Sequence, residues 1–234
     1  MLLSKTRQTL CADVKLNAYM TSCRTRDQLR DRTVANLEAT DWQGTLTIEL
    51  DEGGPLPQMV RHTALVRRVL RRALQDPNPV FLFLEDDLEF NRSLAHNLSV
   101  WLPLSEVTPG RHFYASLYNP GVTFVRSFTK AGYAEASLPS VFGSQALVIG
   151  KATVRYLLTC WGVESCPIAD VRLARLAARV CPLLYHIPSL VQHVGTESLW
   201  DGPFHCAADF DRDWKAATPG ALGGPFSSAE SYWT

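Results

Sequence analysis

No stretch of this 234-residue sequence approaches the roughly 20 consecutive apolar residues that a membrane-spanning helix needs. The opening MLLSKTRQTLCADV also lacks the long apolar centre of a secretory signal. A cytoplasmic protein with no membrane span is therefore expected. Net charge is missing too, because 23 basic residues balance 23 acidic ones. No overall field draws the chain to nucleic acid or to an anionic bilayer, and any such contact has to be local. Lysine occurs only at positions 5, 15, 130, 151 and 215, which leaves arginine to carry most of the positive charge. The six cysteines (Cys11, Cys23, Cys160, Cys166, Cys181 and Cys206) contain no CxxC pair and no spacing typical of zinc. They read as free thiols; Cys160 and Cys166 would pair only in an oxidising compartment, which nothing else in the sequence indicates. Internal repeats are absent, and low complexity is confined to the tail from Pro219.

What is present is enough apolar residue, 46% of the chain, to bury one substantial core. One domain is expected over 1–214, followed by a Gly/Pro/Ser-containing tail at 215–234. Apolar runs of strand length alternate with amphipathic stretches of helix length, the pattern of an α/β domain with a mostly parallel sheet flanked by helices. Strands are expected at 15–23, 45–50, 80–84, 112–118, 145–149 and 183–187. Helices are expected at 25–39, 61–75, 91–101, 151–160 and 168–180. The clearest helix is 61–75, where Leu65, Val66, Val69, Leu70, Ala73 and Leu74 form a stripe. Its arginines fall mostly elsewhere, as a solvated face or as phosphate contacts.

The run Val80 to Leu84 (VFLFL) lacks alternation, as a strand buried on both faces should, and it ends abruptly in Glu85, Asp86 and Asp87. Three adjacent acids at such a place repel one another unless a cation or protons compensate them. Ligands of open α/β sheets bind beyond the carboxyl ends of strands, and Mg²⁺ or Mn²⁺ is commonly held by one or two carboxylates while it grips phosphates. The cluster thus points to a nucleoside diphosphate. If the backbone stays extended, Glu85 and Asp87 face one side and Asp86 the other. The plainer alternative is that these acids begin a loop and cap a helix near Asn91.

The segment VFLFLEDDLEF resembles the metal-binding acidic motif of GT-A glycosyltransferases. MTSCRTRDQLRDRTVANLEATDW resembles their first strand and helix, and GSQALVIGKATVRYLL their acceptor-side strand and following helix. IPSLVQHVGTESL is similar to the closing motif of N-acetylglucosaminyltransferase IV-like and glycosyltransferase family 25-like enzymes. These pieces run in order over roughly residues 15 to 200. The resemblance implies a nucleotide-sugar donor, a UDP-sugar foremost, and a divalent cation, Mn²⁺ or Mg²⁺. It implies that Asp87 ligates the metal, that Glu85 and Asp86 lie beside the donor, and that Thr21 and Arg24 lie close to the nucleotide.

His193, in the QHVG context, is a candidate second metal ligand, with a hydrogen-bonded loop histidine as the alternative. Transfer with inversion needs a base for the acceptor hydroxyl. Asp170, near the start of a helix whose dipole favours its ionised form, is the candidate, although an acid there also fits a simple first-turn role. Glu164 and Asp201 are weaker substitutes. The resemblance implies that Asp51 contacts the base or ribose of the donor; the alternative is a turn with Glu52, Gly53 and Gly54. Gly143, Ser144 and Gln145 are candidates to line the sugar or acceptor pocket, and His186 reads as structural. Trp101, Trp161, Trp200 and Trp214 would stack on a sugar or fill the core.

The expected function is metal-dependent transfer of a hexosyl or N-acetylhexosaminyl group to an acceptor hydroxyl on a glycan, a protein or a hydroxylated DNA base. One rival is a nucleotidyltransferase of related fold, although no Gly-rich loop with a basic residue follows the first strand. The other is a non-catalytic sugar- or nucleotide-binding protein.

Overall fold

The computed structural model describes residues 16–120, 125–128, 132–136, 143–195 and 205–218. Lys15, Cys11, Trp200, Asp201, the end of GTESL and the tail from Pro219 lie outside the described residues. Chain order is β1 (Ala18–Cys23), a 3₁₀ turn (Arg24–Arg26), α1 (Asp27–Glu38), β2 (Leu46–Asp51), α2 (Gln58–Ala73), β3 (Val80–Leu84), β4 (Leu88–Phe90), α3 (Leu94–Ser99) and α4 (Leu102–Ser105). There follow β5 (Tyr114–Ser116), β6 (Val125–Phe128), β7 (Tyr133–Ala136), β8 (Ala146–Gly150), α5 (Lys151–Thr159), α6 (Ala169–Ala177), β9 (Leu183–His186) and β10 (Val191–His193).

Eight strands form one sheet in the order β2-β1-β3-β8-β5-β9-β7-β6. β2, β1 and β3 run parallel, β8 is antiparallel to both its neighbours, and β5 and β9 are parallel. β7 is antiparallel to β9 and to β6. Only β7 and β8 therefore oppose the common direction. The α/β class, mostly parallel sheet and single-domain organisation expected for a GT-A chain are the ones observed.

Every residue of β3 is buried because both sheet faces are covered. Val80, Leu82 and Leu84 enter one core with Leu37 of α1 and Leu94 and Leu98 of α3. Phe81 and Phe83 enter the other with Val66, Val69 and Leu70 of α2, Leu157 of α5 and Leu173 of α6. This two-sided burial is the physical reason for the unbroken apolar run.

The helix expected over 91–101 is shorter, spanning Leu94–Ser99, and a separate short helix follows at Leu102–Ser105. Trp101 is extended between them (φ −75°, ψ 113°), and Pro103 sits in the first turn of α4. Proline has no N–H to donate and clashes with the carbonyl one turn earlier, so a helix can contain it there only by starting afresh. α2 begins at Gln58, behind Pro57, rather than at Arg61. Arg68, Arg71 and Arg72 are exposed, as a solvated face requires, with Arg68 and Arg72 pairing with Glu49 of β2, while the more covered Arg61 pairs with Asp51. Among the described residues no helix is long and apolar enough to cross a membrane, and the five described cysteines are free.

Two features position the acids that follow β3. The short antiparallel ribbon of β4 and β10, which the sequence reading did not anticipate, brings His193 opposite Leu88. Thr33, fully buried on α1, donates from Oγ1 to the Asp86 carbonyl at 2.8 Å and accepts from the Leu88 N–H at 2.9 Å. Helix α1 thereby clamps the turn between β3 and β4. The segment 205–218 closes over this side: Asn91 Nδ2 donates to the Asp211 and Trp214 carbonyls, and Ala216 N donates to Asn97 Oδ1.

Thr33→Val preserves shape but leaves two buried backbone groups of the acid turn without partners. It is expected to cost about 2–4 kcal/mol in urea unfolding, with an unchanged denaturant slope.

Candidate functional site

β1, β2 and β3 run parallel, so Cys23, Asp51 and Glu85 emerge at the same end of the sheet. A cleft of about 320 Å³ opens there, within the range of small-molecule sites. Thr21, Arg24, Arg26, Asp51, His62, Glu85 and Asp86 are among its lining residues. Thr21 is buried, with its hydroxyl 3.4 Å from the Leu84 carbonyl. Arg24 reaches across the mouth to Glu52, and its side chain is 70% exposed. Asp51 accepts Arg61 Nε at 3.1 and 3.0 Å and the Gly53 N–H at 3.0 Å. Its carboxylate thus serves a turn and an ion pair while lining the cleft.

The three acids do not alternate. β3 ends at Leu84, the backbone bends, and Asp86 and Asp87 meet the same guanidinium while Glu85 turns toward β8. Arg26 Nη1 lies 3.0 Å from Asp86 Oδ1, and Nη2 donates to Asp87 Oδ2. Arg26 is only 13% exposed, Asp86 4% and Asp87 5%. Ser22 Oγ donates to Asp86 Oδ2 at 2.6 Å. Ser144 Oγ donates to Glu85 Oε1 at 2.6 Å, and Glu85 N donates to the Gln145 carbonyl. Much of the positive charge that the acid run demands is therefore supplied from inside the chain by Arg26.

Protonation supplies more. Glu85 keeps some exposure at the cleft floor, yet protein crowds it closely. This desolvation, reinforced by the negative charge of Asp87, pushes its carboxyl up to about 8 despite the Ser144 hydrogen bond. Burial also raises Asp86 against the opposing pull of Arg26 and Ser22. For Asp87 burial acts in the same direction but is outweighed by His193 and Arg26, which hold it below the usual carboxylate range. His193 answers in kind: burial disfavours its charge, but the Asp87 hydrogen bond raises it.

His193 Nε2 lies 3.1 Å from Asp87 Oδ2, and Asp87 Oδ1 is buried with no hydrogen-bond partner among the described residues. The QHVG sequence explains how the chain closes on the acid. Gln192 grips the backbone of Ala207 through both amide atoms, at 3.0 and 2.9 Å. Val194 N donates to the Asp87 carbonyl at 2.9 Å. Gly195 packs so tightly that a Cβ there would lie 2.5 Å from Asp87 Oδ2 and 3.1 Å from His193 Nε2. His205 stacks on His193 at 5.1 Å, and its Nδ1 lies 2.6 Å from Tyr118 Oη.

Asp170 stands in the first turn of α6, where Oδ2 accepts the Gly143 N–H at 3.0 Å and Oδ1 accepts the Val171 N–H at 2.7 Å. It fastens the entry to β8 and is near enough to raise Glu85. Gln145 is buried, and its Oε1 finds no partner among the described residues. Gly143 adopts φ 81°, a conformation that favours glycine. Glu164 lies away from the cleft, paired with Arg175 and Arg179. His186 is structural: it is buried, its Nδ1 contacts the Pro188 carbonyl at 2.6 Å, and burial lowers it to about 4. Trp101, Trp161 and Trp214 pack within the body and do not line the cleft.

The sequence reading missed Arg26, Ser22, His62 and His205. Arg26 follows Arg24 by two residues in SCRTRD, and only the 3₁₀ turn decides which arginine points inward. Among the described residues no three His, Cys, Asp or Glu side chains form a metal-binding group.

Comparison with protein-family models and with curated proteins finds no match. Solved structures with a similar course include a glycosyltransferase involved in the glycosylation of the major capsid of PBCV-1, at 11% identity and TM-score 0.48, over 78% of this chain and 94% of that one. The apo WbbM bifunctional glycosyltransferase aligns at 10% identity and TM-score 0.44, over 70% of this chain and 37% of that one. The apo form of the glycosyltransferase GlyE from Streptococcus pneumoniae TIGR4 aligns at 14% identity and TM-score 0.40, over 72% and 44%. At this identity and overlap the likenesses carry no argument about the site, whose geometry stands alone.

Glu85 has a measurable signature. From its ordinary value of 4.5 up to about 8 the folded chain retains a proton that the unfolded chain loses, so this carboxyl drains stability as pH rises through that window. Glu85→Gln removes the drain. In urea unfolding the variant should gain on the parent steadily from pH 5 to pH 8; parallel pH profiles would contradict the assignment.

Proposed function

We propose that this chain is a GT-A-type glycosyltransferase that moves a sugar from a UDP-sugar to an acceptor hydroxyl, a glycan hydroxyl foremost, with inversion and with Mn²⁺ or Mg²⁺. The observation that carries the reading is the cleft at the carboxyl ends of three parallel strands, where arginines on the wall face an acidic floor. Such a place suits a diphosphate, whose oxygens the arginines can meet, and a cation that joins those oxygens to a carboxylate.

The residues present fit a divalent cation. Asp87 offers a buried oxygen without a hydrogen-bond partner among the described residues, and His193 Nε2 stands beside the other oxygen of the same carboxylate. An imidazole next to a carboxylate is a donor set compatible with Mn²⁺. When bound, the cation would neutralise charge on the departing nucleoside diphosphate.

The chain's own residues have the following roles. Arg24 and Arg26 bind the phosphates, and Thr21, Asp51 and His62 line the nucleoside end. Glu85, protonated at neutral pH, can donate a hydrogen bond to the donor, which an ionised carboxylate could not. Asp86 holds Arg26 in the cleft wall. Gln145, with a buried carboxamide oxygen left without a partner among the described residues, is assigned to the sugar. Asp170, oriented by two backbone N–H groups, takes the proton of the acceptor hydroxyl.

Incubation with UDP-sugars and Mn²⁺ should release UDP, and Asp87→Asn should lower kcat/KM about a hundredfold or more. Consumption of a nucleoside triphosphate in place of UDP release would mark a nucleotidyltransferase. Donor binding without turnover toward any acceptor would mark a binding protein.

A further inference from the structure

Arg26 occupies the place a cation would take. Its guanidinium bridges Asp86 and Asp87 and donates to the same Asp87 oxygen that His193 contacts. Both carboxylates are almost wholly enclosed, so loss of this partner would leave buried negative charge uncompensated. Arg26 also belongs to the cleft wall beside Arg24 and Thr25, and its side chain can therefore serve either the acids or a ligand in the cleft. It closes the short 3₁₀ turn ahead of α1, where it is the N-cap residue and its side chain makes no capping hydrogen bond. Asp87 Oδ1, buried and unpartnered among the described residues, marks acceptor capacity that the guanidinium leaves unused.

We propose that Arg26 is a resident counter-ion that competes with the divalent cation for Asp87, and that the donor's diphosphate draws it away so that cation and donor bind cooperatively. The inference rests on the donor reading given above for its second half only; the competition itself involves Arg26, the acids and a cation. Charge accounts for the linkage. With Arg26 on the acids, an entering Mn²⁺ meets a cluster already neutralised and a like charge close by. Once two phosphates hold the guanidinium, the acids are again in deficit and the cation is favoured. By reciprocity, each ligand tightens the other by the same factor.

The test is direct Mn²⁺ binding to the full chain, followed by electron paramagnetic resonance with and without UDP, for the parent, Arg26→Gln and Arg26→Lys. The parent should bind Mn²⁺ weakly alone and about tenfold or more tightly with UDP. Arg26→Gln should bind Mn²⁺ about tenfold more tightly than the parent without UDP, and its gain from UDP should shrink toward none. Arg26→Lys keeps the charge but not the two-pronged grip, and should fall between; it carries the test if Arg26→Gln does not fold without metal. Equal or weaker Mn²⁺ binding by the variants overturns the competition. Tighter binding with an undiminished gain from UDP overturns the linkage. UDP that binds no form sinks the donor reading and the linkage together, while the Mn²⁺ comparison still decides the competition.

Discussion

Three carboxyl groups packed against the end of a buried strand persist because Arg26, the His193 contact to Asp87 and a retained proton on Glu85 offset their mutual repulsion. That compensation governs the local architecture. Asp86 and Asp87 can be nearly enclosed because one guanidinium serves both, and Glu85 can sit at the cleft floor because it need not be charged at neutral pH. The strand itself, covered on both faces, has no freedom to move the acids apart. The charge problem is therefore solved by neighbours, namely the turn after β1, the first helix, the start of β8 and the β4–β10 ribbon.

Each of those neighbours contributes through a small number of contacts. Thr33 fixes the backbone of Asp86 and Leu88. Ser22 and Ser144 orient Asp86 and Glu85 from opposite sides. Gly195 allows the chain to pass close enough for His193 to reach Asp87. Asp170 anchors Gly143 and so shapes the entry to the strand that carries Gln145. An arrangement fastened from so many directions is preorganised. Arg26 is the exception, since it faces both the acids and the cleft.

Much of this was legible in the sequence. The VFLFL run announced a strand buried on both faces, and the acids after it announced a charged site at the sheet's carboxyl edge. The apolar stripe of α2 and the QHVG segment also led to the right neighbourhoods. The rest turned on contacts that one-dimensional patterns do not carry. β4 and β10 are three residues each, too short for a periodic signal, yet their pairing delivers His193. The alternation expected through Glu85, Asp86 and Asp87 failed because the strand stops at Leu84. Arg24 and Arg26 look equivalent in SCRTRD, and tertiary geometry alone sends one to solvent and the other to the acids. Pro103, by contrast, was a readable signal for the break between α3 and α4.

The central claim is that the cleft receives a nucleoside diphosphate whose cation rests against Asp87. Anomalous diffraction at the manganese edge, from crystals of the protein grown with UDP and Mn²⁺, tests it most directly. The account predicts a manganese peak beside Asp87 and His193, with the two phosphates in the cleft and Arg26 turned toward them. A cleft without nucleotide, or manganese bound elsewhere while Arg26 still bridges Asp86 and Asp87, would contradict it.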